Sequence, residues 1–262
     1  MVRGGMPSHL RGCSLMAAIG LGNYAWCMTL IPYRDRRSAG QLLADQLRHH
    51  FRKEALCLLA LPRGGVPVAY EVACALRAPL DVFLVRRLAM PTEPELAIGA
   101  ITTGNVCVLN SDVLQENGIE ISDIEDAVEV ERRELERLQQ LFRGPRPAED
   151  VRQRPVILVD DGLATGVNMR AAIAVLRAQG PTSITVAVPV GSRTACEQIS
   201  TEVDEFICPR IPEPFYAVGL SYDQFPRMCD EDIHSFLEKE EHERSLHDGT
   251  FAGNFYAGST FR

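Results

Sequence analysis

The chain has 262 residues, 46% of them hydrophobic and 24% charged, enough to bury one large core or two small ones. A formal charge of −8 excludes a general binder of nucleic acid or anionic membrane, so any phosphate ligand must be met by local groups. Eight cysteines (13, 27, 57, 74, 107, 196, 208 and 229) form no CxxC, and the six histidines lie towards the two ends. Buried thiols in a reducing cytosol are therefore expected, rather than disulfides, a zinc site or a histidine-dependent triad.

Residues 1–32 do not read as part of the fold. The apolar stretch from Leu15 to Ile31 is broken by Gly20, Gly22, Asn23 and Tyr24, too short and interrupted for a membrane span. Arg3 and Arg11 precede it as in a signal peptide, but no clear small-residue cleavage site follows. A disordered leader, or a chain whose translation starts at Met28, is the expectation. The domain proper is placed at 33–237.

Leu42, Leu43, Leu47 and Phe51 recur at helical spacing and predict an amphipathic cover helix. Ala55 to Leu61 reads as a buried strand. It ends in Pro62-Arg63-Gly64-Gly65 and leads into a helix from Val66 to Leu76. The two glycines permit positive φ and close backbone approach, a setting in which successive N–H groups can wrap an oxyanion. A strand over Asp81 to Arg87 follows. A proline-rich, aperiodic stretch to Glu95 is expected to be a loop of the kind that serves as a lid. Ile98–Ile101 and Val106–Leu109 read as a hairpin around Thr103-Gly104-Asn105, and Ser122 to Leu141 as a long, charged helix.

The most informative stretch is VILVDDGLATGVNM, Val156 to Met169. Four apolar residues make a buried parallel strand, with Asp160 and Asp161 at its carboxyl end. Gly162-Leu163-Ala164-Thr165-Gly166 then opens a helix bearing Met169, Ile173 and Leu176. Strand, tight loop and helix N-terminus form an anion cradle, because the first helical N–H groups lack intrahelical partners. Such loops often bind nothing. Two carboxylates beside the cradle, however, suit a ligand that also carries hydroxyls or a divalent cation. A sugar phosphate fits both.

Further strands are expected at Ser183–Val190 and Phe206–Pro209, with a helix over Arg193–Ile199 between them. Residues 211–230, with Phe215, Tyr216, Tyr222 and Phe225, form an aromatic, proline-stiffened segment. The stretch 238–262 is expected to be disordered or to mediate self-association. Alternating strands and helices call for an α/β fold with a parallel sheet of about five strands flanked by helices. Ligands bind outside the carboxyl ends of such strands.

A hydrophobic strand, two acids, two residues and Ala-Thr-Gly resembles the phosphoribosyl-diphosphate (PRPP) signature of type I phosphoribosyltransferases. With LPRGGVPVA, PELAIGA and PEPFYAVGL, the chain is similar to a bacterial subgroup of that family whose acceptor is poorly defined. The resemblance covers roughly Tyr33 to Ile233. It implies a cytoplasmic enzyme that transfers 5-phosphoribosyl from Mg²⁺–PRPP to a small nitrogenous acceptor and releases diphosphate, with a homodimer left open and no nucleic-acid or membrane partner. It implies that Asp160 and Asp161 hold the ribose hydroxyls, with Mg²⁺ bound indirectly through ligand and water. The 5-phosphate would lie on Gly162 to Asn168, through the Ala164, Thr165, Gly166, Val167 and Asn168 amides and the Thr165 hydroxyl. Arg63, Gly64 and Gly65 would contact the diphosphate, and Arg86 or Arg87 would neutralise it as it leaves. Residues 211–230, with Phe215, Tyr216 and Tyr222, would form a hood over the acceptor. Three departures stand out: Asn168 replaces Thr or Ser, Arg87-Leu88-Ala89 replaces Lys-Leu-Gly, and Ala164 lacks the acid of 6-oxopurine enzymes. The last makes guanine or hypoxanthine a poor acceptor. A PRPP-binding protein without catalysis is the rival reading, and the missing GxxxxGK[ST] loop disfavours a kinase.

Overall fold

Residues 31–48, 51, 56–90, 93–104 and 106–247 are described by the computed structural model. The expected leader (but for Ile31 and Pro32) and the last part of the expected tail lie outside them. Helix α1 (Arg36–Leu47) is opened by Asp35, whose carboxylate accepts the Ser38 N–H at 2.7 Å while the Ser38 hydroxyl accepts the Asp35 N–H. This reciprocal cap satisfies two of the donors a helix start leaves over. Strand β1 (Cys57–Ala60) runs into helix α2 (Gly65–Leu76) and then β2 (Leu80–Val82). Three strands follow as an antiparallel sheet, β3 (Val85–Met90), β4 (Glu93–Thr102) and β5 (Cys107–Leu109). A short helix α3 (Ser111–Glu116) precedes the long α4 (Glu125–Arg143). Then come β6 (Pro155–Val159), α5 (Val167–Arg177), β7 (Ser183–Ala187), α6 (Arg193–Glu202), β8 (Glu205–Ile207) and α7 (Asp230–His247).

The main sheet has five strands in the order β2-β1-β6-β7-β8, all parallel. Residues of one strand alternate between its faces, and here both faces are dry. Leu58, Ala60, Ile157 and Val159 join α1, α2 and α7 in one core, while Cys57, Leu59, Val156 and Leu158 join α5 and α6 in the other. This is the α/β fold the alternating elements predicted. Strands β1 and β6 lie side by side, so the loops that leave them meet at one edge.

Three expectations need correction. The stretch after Arg87 is not an irregular loop: β3 and β4 pair from Val85↔Thr102 to Met90↔Glu93, with register shifts after Leu88 and Ala89. The bulges absorb the residues that hid the two-residue alternation. The strand expected over 81–87 is accordingly two strands in different sheets. The tail is not without structure from Glu238, since α7 continues to His247. Ile233 and Leu237, one turn apart, are buried, and the Tyr70 hydroxyl donates to Glu243 at 2.7 Å. Four residues of spacing place both apolar side chains on one face.

A buried ion pair ties α4 to the sheet. Arg143 donates through Nε to both Asp81 oxygens at 2.8 and 3.0 Å and also bonds the Val82 carbonyl. Asp81 in turn accepts the Val82 N–H at 2.7 Å and the Glu149 N–H at 3.0 Å. Removing one partner of such a pair strands the other charge out of water. Arg143→Met should cost about 3–5 kcal/mol, roughly 10 °C in Tm by circular dichroism, and Arg143→Met with Asp81→Asn should recover part of it.

Candidate active site at the carboxyl edge of the parallel sheet

Where β6 ends, the chain places Asp160 and Asp161 in succession, and the Asp161 N–H donates to the Asp160 carboxylate at 2.8 Å. The loop beyond is fastened from below. The Leu163 N–H donates to the Val190 carbonyl at 2.9 Å, and the Leu163 carbonyl accepts the Ser192 N–H at 2.8 Å. The Ser192 hydroxyl donates to the Ala164 carbonyl at 2.6 Å. Gly166 then takes φ +73°, a conformation that side chains resist, and turns the chain into α5. No side chain caps that helix start, and Thr165, Val167 and Asn168 are exposed around it. The first turn of α5 therefore presents backbone donors to solvent.

The loop from β1 packs against these acids, and that contact explains its glycines. A Cβ on Gly64 would lie 2.0 Å from Asp161 Oδ2, and one on Gly65 would lie 2.7 Å from the Val159 carbonyl oxygen. Gly64 has φ −63°, so its freedom at positive φ is not used. Both glycines are needed for close approach, with no side chain to keep the acidic loop away.

The two loops and the antiparallel sheet enclose a cleft of about 630 Å³. Arg63, Arg86, Arg87, Asp160 and Asn168, all singled out from the sequence, line it together, joined by Phe83 and by Glu131 and Glu134 of α4. An adjoining cleft of about 490 Å³ shares Arg63 and is lined by Gly64, Asp161, Arg36, Phe225 and Arg227. The expected hood divides differently from its prediction. Phe215 and Tyr216 line a separate small cavity of about 150 Å³. Tyr222 is buried between Tyr33 and Phe225, and its hydroxyl donates to the Asp161 carbonyl at 2.5 Å. Tyr222 thus holds the acidic loop in place, and Phe225 is the aromatic of this segment that lines the adjoining cleft.

Sequence reasoning missed Arg36. Its Nε donates to Asp161 Oδ2 at 2.8 Å, a second guanidinium nitrogen donates to the Pro226 carbonyl at 2.8 Å, and its central carbon lies 3.7 Å from the Phe225 ring centre. One side chain therefore links the start of α1, the acidic loop and the segment at Phe225 and Pro226. In the sequence it is one of three arginines around Asp35, ahead of a helix read only from its apolar spacing.

Burial pushes the Asp160 carboxyl well above the usual carboxylate range, and the neighbouring Asp161 charge adds to this. Asp161 is also raised by burial, with Arg36 pulling the other way. Two desolvated acids side by side favour hydroxyl donors or a cation facing them. Among the described residues no group of three or more His, Cys, Asp or Glu could hold a metal ion. The donor set fits Mg²⁺ carried mostly by ligand oxygens and water, as this ion prefers, and not a protein cage.

Comparison with known proteins follows this geometry closely. The family model described as a phosphoribosyl transferase domain matches residues 36–223. Two Mycobacterium tuberculosis proteins, provisionally named phosphoribosyl transferases, are each 41% identical over 208 residues, 79% of this chain and 46% of theirs. The chain thus spans about half the length of these curated relatives. The crystal structure of TT1426 from Thermus thermophilus is 39% identical, covering 80% of this chain and 99% of that one, with a TM-score of 0.73. No helix among the described residues is long and apolar enough to cross a membrane.

The raised Asp160 acidity gives a testable sign. Its folded form holds the proton more tightly than the unfolded chain, so its contribution is complete below the ordinary carboxylate pKa and lost as pH rises through the raised value. Above the ordinary carboxylate pKa the folded protein bears a cost at Asp160, as proton uptake or as a poorly solvated charge, that an amide does not carry. Asp160→Asn should therefore melt about 2–4 °C higher than the parent at pH 7.5, a gain of ~1 kcal/mol, and the difference should close towards pH 4. A thermal melt series over pH 4–8 measures it.

Proposed function

The chain belongs to the phosphoribosyl transferase domain family, and on that premise we propose that it transfers 5-phosphoribosyl from Mg²⁺–PRPP to a small nitrogenous acceptor, with release of diphosphate. The observation that carries the reading is the half-buried Asp160–Asp161 pair beside an uncapped helix start and a cleft lined by three arginines. A ligand that offers hydroxyls to the acids, a phosphate to the helix and a diphosphate to the arginines satisfies all three. Asp160 and Asp161 accept from the ribose hydroxyls. The α5 amides and the Thr165 hydroxyl hold the 5-phosphate. Arg63, Arg86 and Arg87 face the diphosphate.

Departure of diphosphate leaves positive charge on the ribose, next to the two carboxylates, and concentrates negative charge near the arginines. Groups already oriented towards both charges lower the barrier, at about 3 kcal/mol per well-placed donor. Asp160 and Asp161 would hold Mg²⁺ indirectly, through ligand oxygens and water, and the ion would supply charge neutralisation for the departing diphosphate. The acceptor enters from the side of Phe225 and Arg36. Ala164 offers no carboxylate, which argues against a 6-oxopurine.

A second reading, a PRPP-binding protein without turnover, draws on one observation: Arg63 is engaged by Asp230. Two substitutions separate the readings. Asp160→Asn with Asp161→Asn should weaken Mg²⁺–PRPP binding at least tenfold by calorimetry, and unchanged affinity would remove the proposal. Arg63→Ala should lower turnover clearly more than it weakens PRPP binding, because a donor aimed at the departing anion matters most in the transition state.

A further inference from the structure

Three arginines of the clefts are bonded to carboxylates, but not in equal settings. Arg36 and Asp161 are 9% and 14% exposed, so their pair is enclosed and fixed. Arg63 donates through Nε to Asp230 Oδ1 at 2.6 Å, with exposures of 42% and 28%. Arg86 donates to Glu131 at 2.5 Å, with exposures of 43% and 23%. Exposed pairs contribute little and open readily, whereas enclosed ones hold. Arg63 and Arg86 both line the large cleft, and Glu131 lines it with them. Asp230 begins α7, beyond the residues 36–223 that the family model matches.

We propose that Asp230 is a positioning residue for diphosphate: it holds Arg63 in an exchangeable ion pair and competes with the diphosphate for that side chain. The inference rests on the reading that the cleft takes PRPP. An anion that takes the Arg63 Nε–H displaces the Asp230 carboxylate, and a diphosphate that leaves is replaced by it. Asp230 therefore weakens ground-state binding and speeds product release. It also gives α7 a place in the chemistry, since the helix that fixes Asp230 is anchored on α2 through Tyr70 and Glu243.

The test is calorimetry of inorganic diphosphate in magnesium buffer with the full chain. Asp230→Asn should bind diphosphate about twofold to fivefold more tightly than the parent, the range an exposed pair supplies. Asp230→Ser, which retains a residue suited to a helix start, should shift affinity in the same direction. In the Arg63→Ala background Asp230→Asn should change nothing, because the competed side chain is gone. Unchanged or weaker diphosphate binding in both Asp230 variants, with Arg63→Ala still weakening it, overturns the inference and leaves the functional reading standing. If the parent binds neither diphosphate nor PRPP, the functional reading fails and this inference with it.

Discussion

The structure depends on keeping two adjacent carboxylates largely out of water at the end of one strand. Isolated, such a pair would protonate or draw solvent in. Here each has a partner that costs the fold something elsewhere. Asp160 takes the Asp161 N–H, Asp161 takes Arg36, and the loop from β1 gives up side chains at Gly64 and Gly65 to let the acids approach. The Tyr222 hydroxyl on the Asp161 carbonyl completes the frame. Raised carboxylates do not stabilise a fold, and acids perturbed in this way inside a cleft make it a candidate functional site.

Charge in this protein is sorted by exposure. The Arg143–Asp81 and Arg36–Asp161 pairs are enclosed and join elements: the first pins α4 to the sheet, the second pins α1 to the acidic loop. The Arg63–Asp230 and Arg86–Glu131 pairs sit at the walls of the cleft, where water reaches them. A chain of net charge −8 can in this way attract a polyanion locally.

Much of the site was legible because its parts are contiguous. Val156 to Asn168 holds a strand, two acids, a tight loop and a helix start in order, and Arg63 to Gly65 holds the facing loop. The parallel sheet followed from the alternation of short apolar runs with helical ones. Arg36 and Asp230 were not legible, because their meaning lies in partners 125 and 167 residues away. The β3–β4 pair was obscured by prolines and by bulges that break the two-residue alternation. Helix α7 was hidden by its charge: Ile233 and Leu237 are a small apolar signal in a run of acids and bases. Of the aromatics in residues 211–230, Tyr222 is buried and Phe215 and Tyr216 line a separate cavity, whereas Phe225 lines the cleft, a division that packing decides and spacing does not show.

The most direct measurement is phosphorus NMR of PRPP with the full chain and Mg²⁺ across a panel of nitrogenous acceptors that excludes none by charge. The account predicts that the PRPP diphosphate resonances give way to free diphosphate and a nucleotide-type monophosphate in the presence of at least one acceptor. PRPP resonances that keep their shifts and intensities with every acceptor, and do not broaden when protein is added, would contradict it.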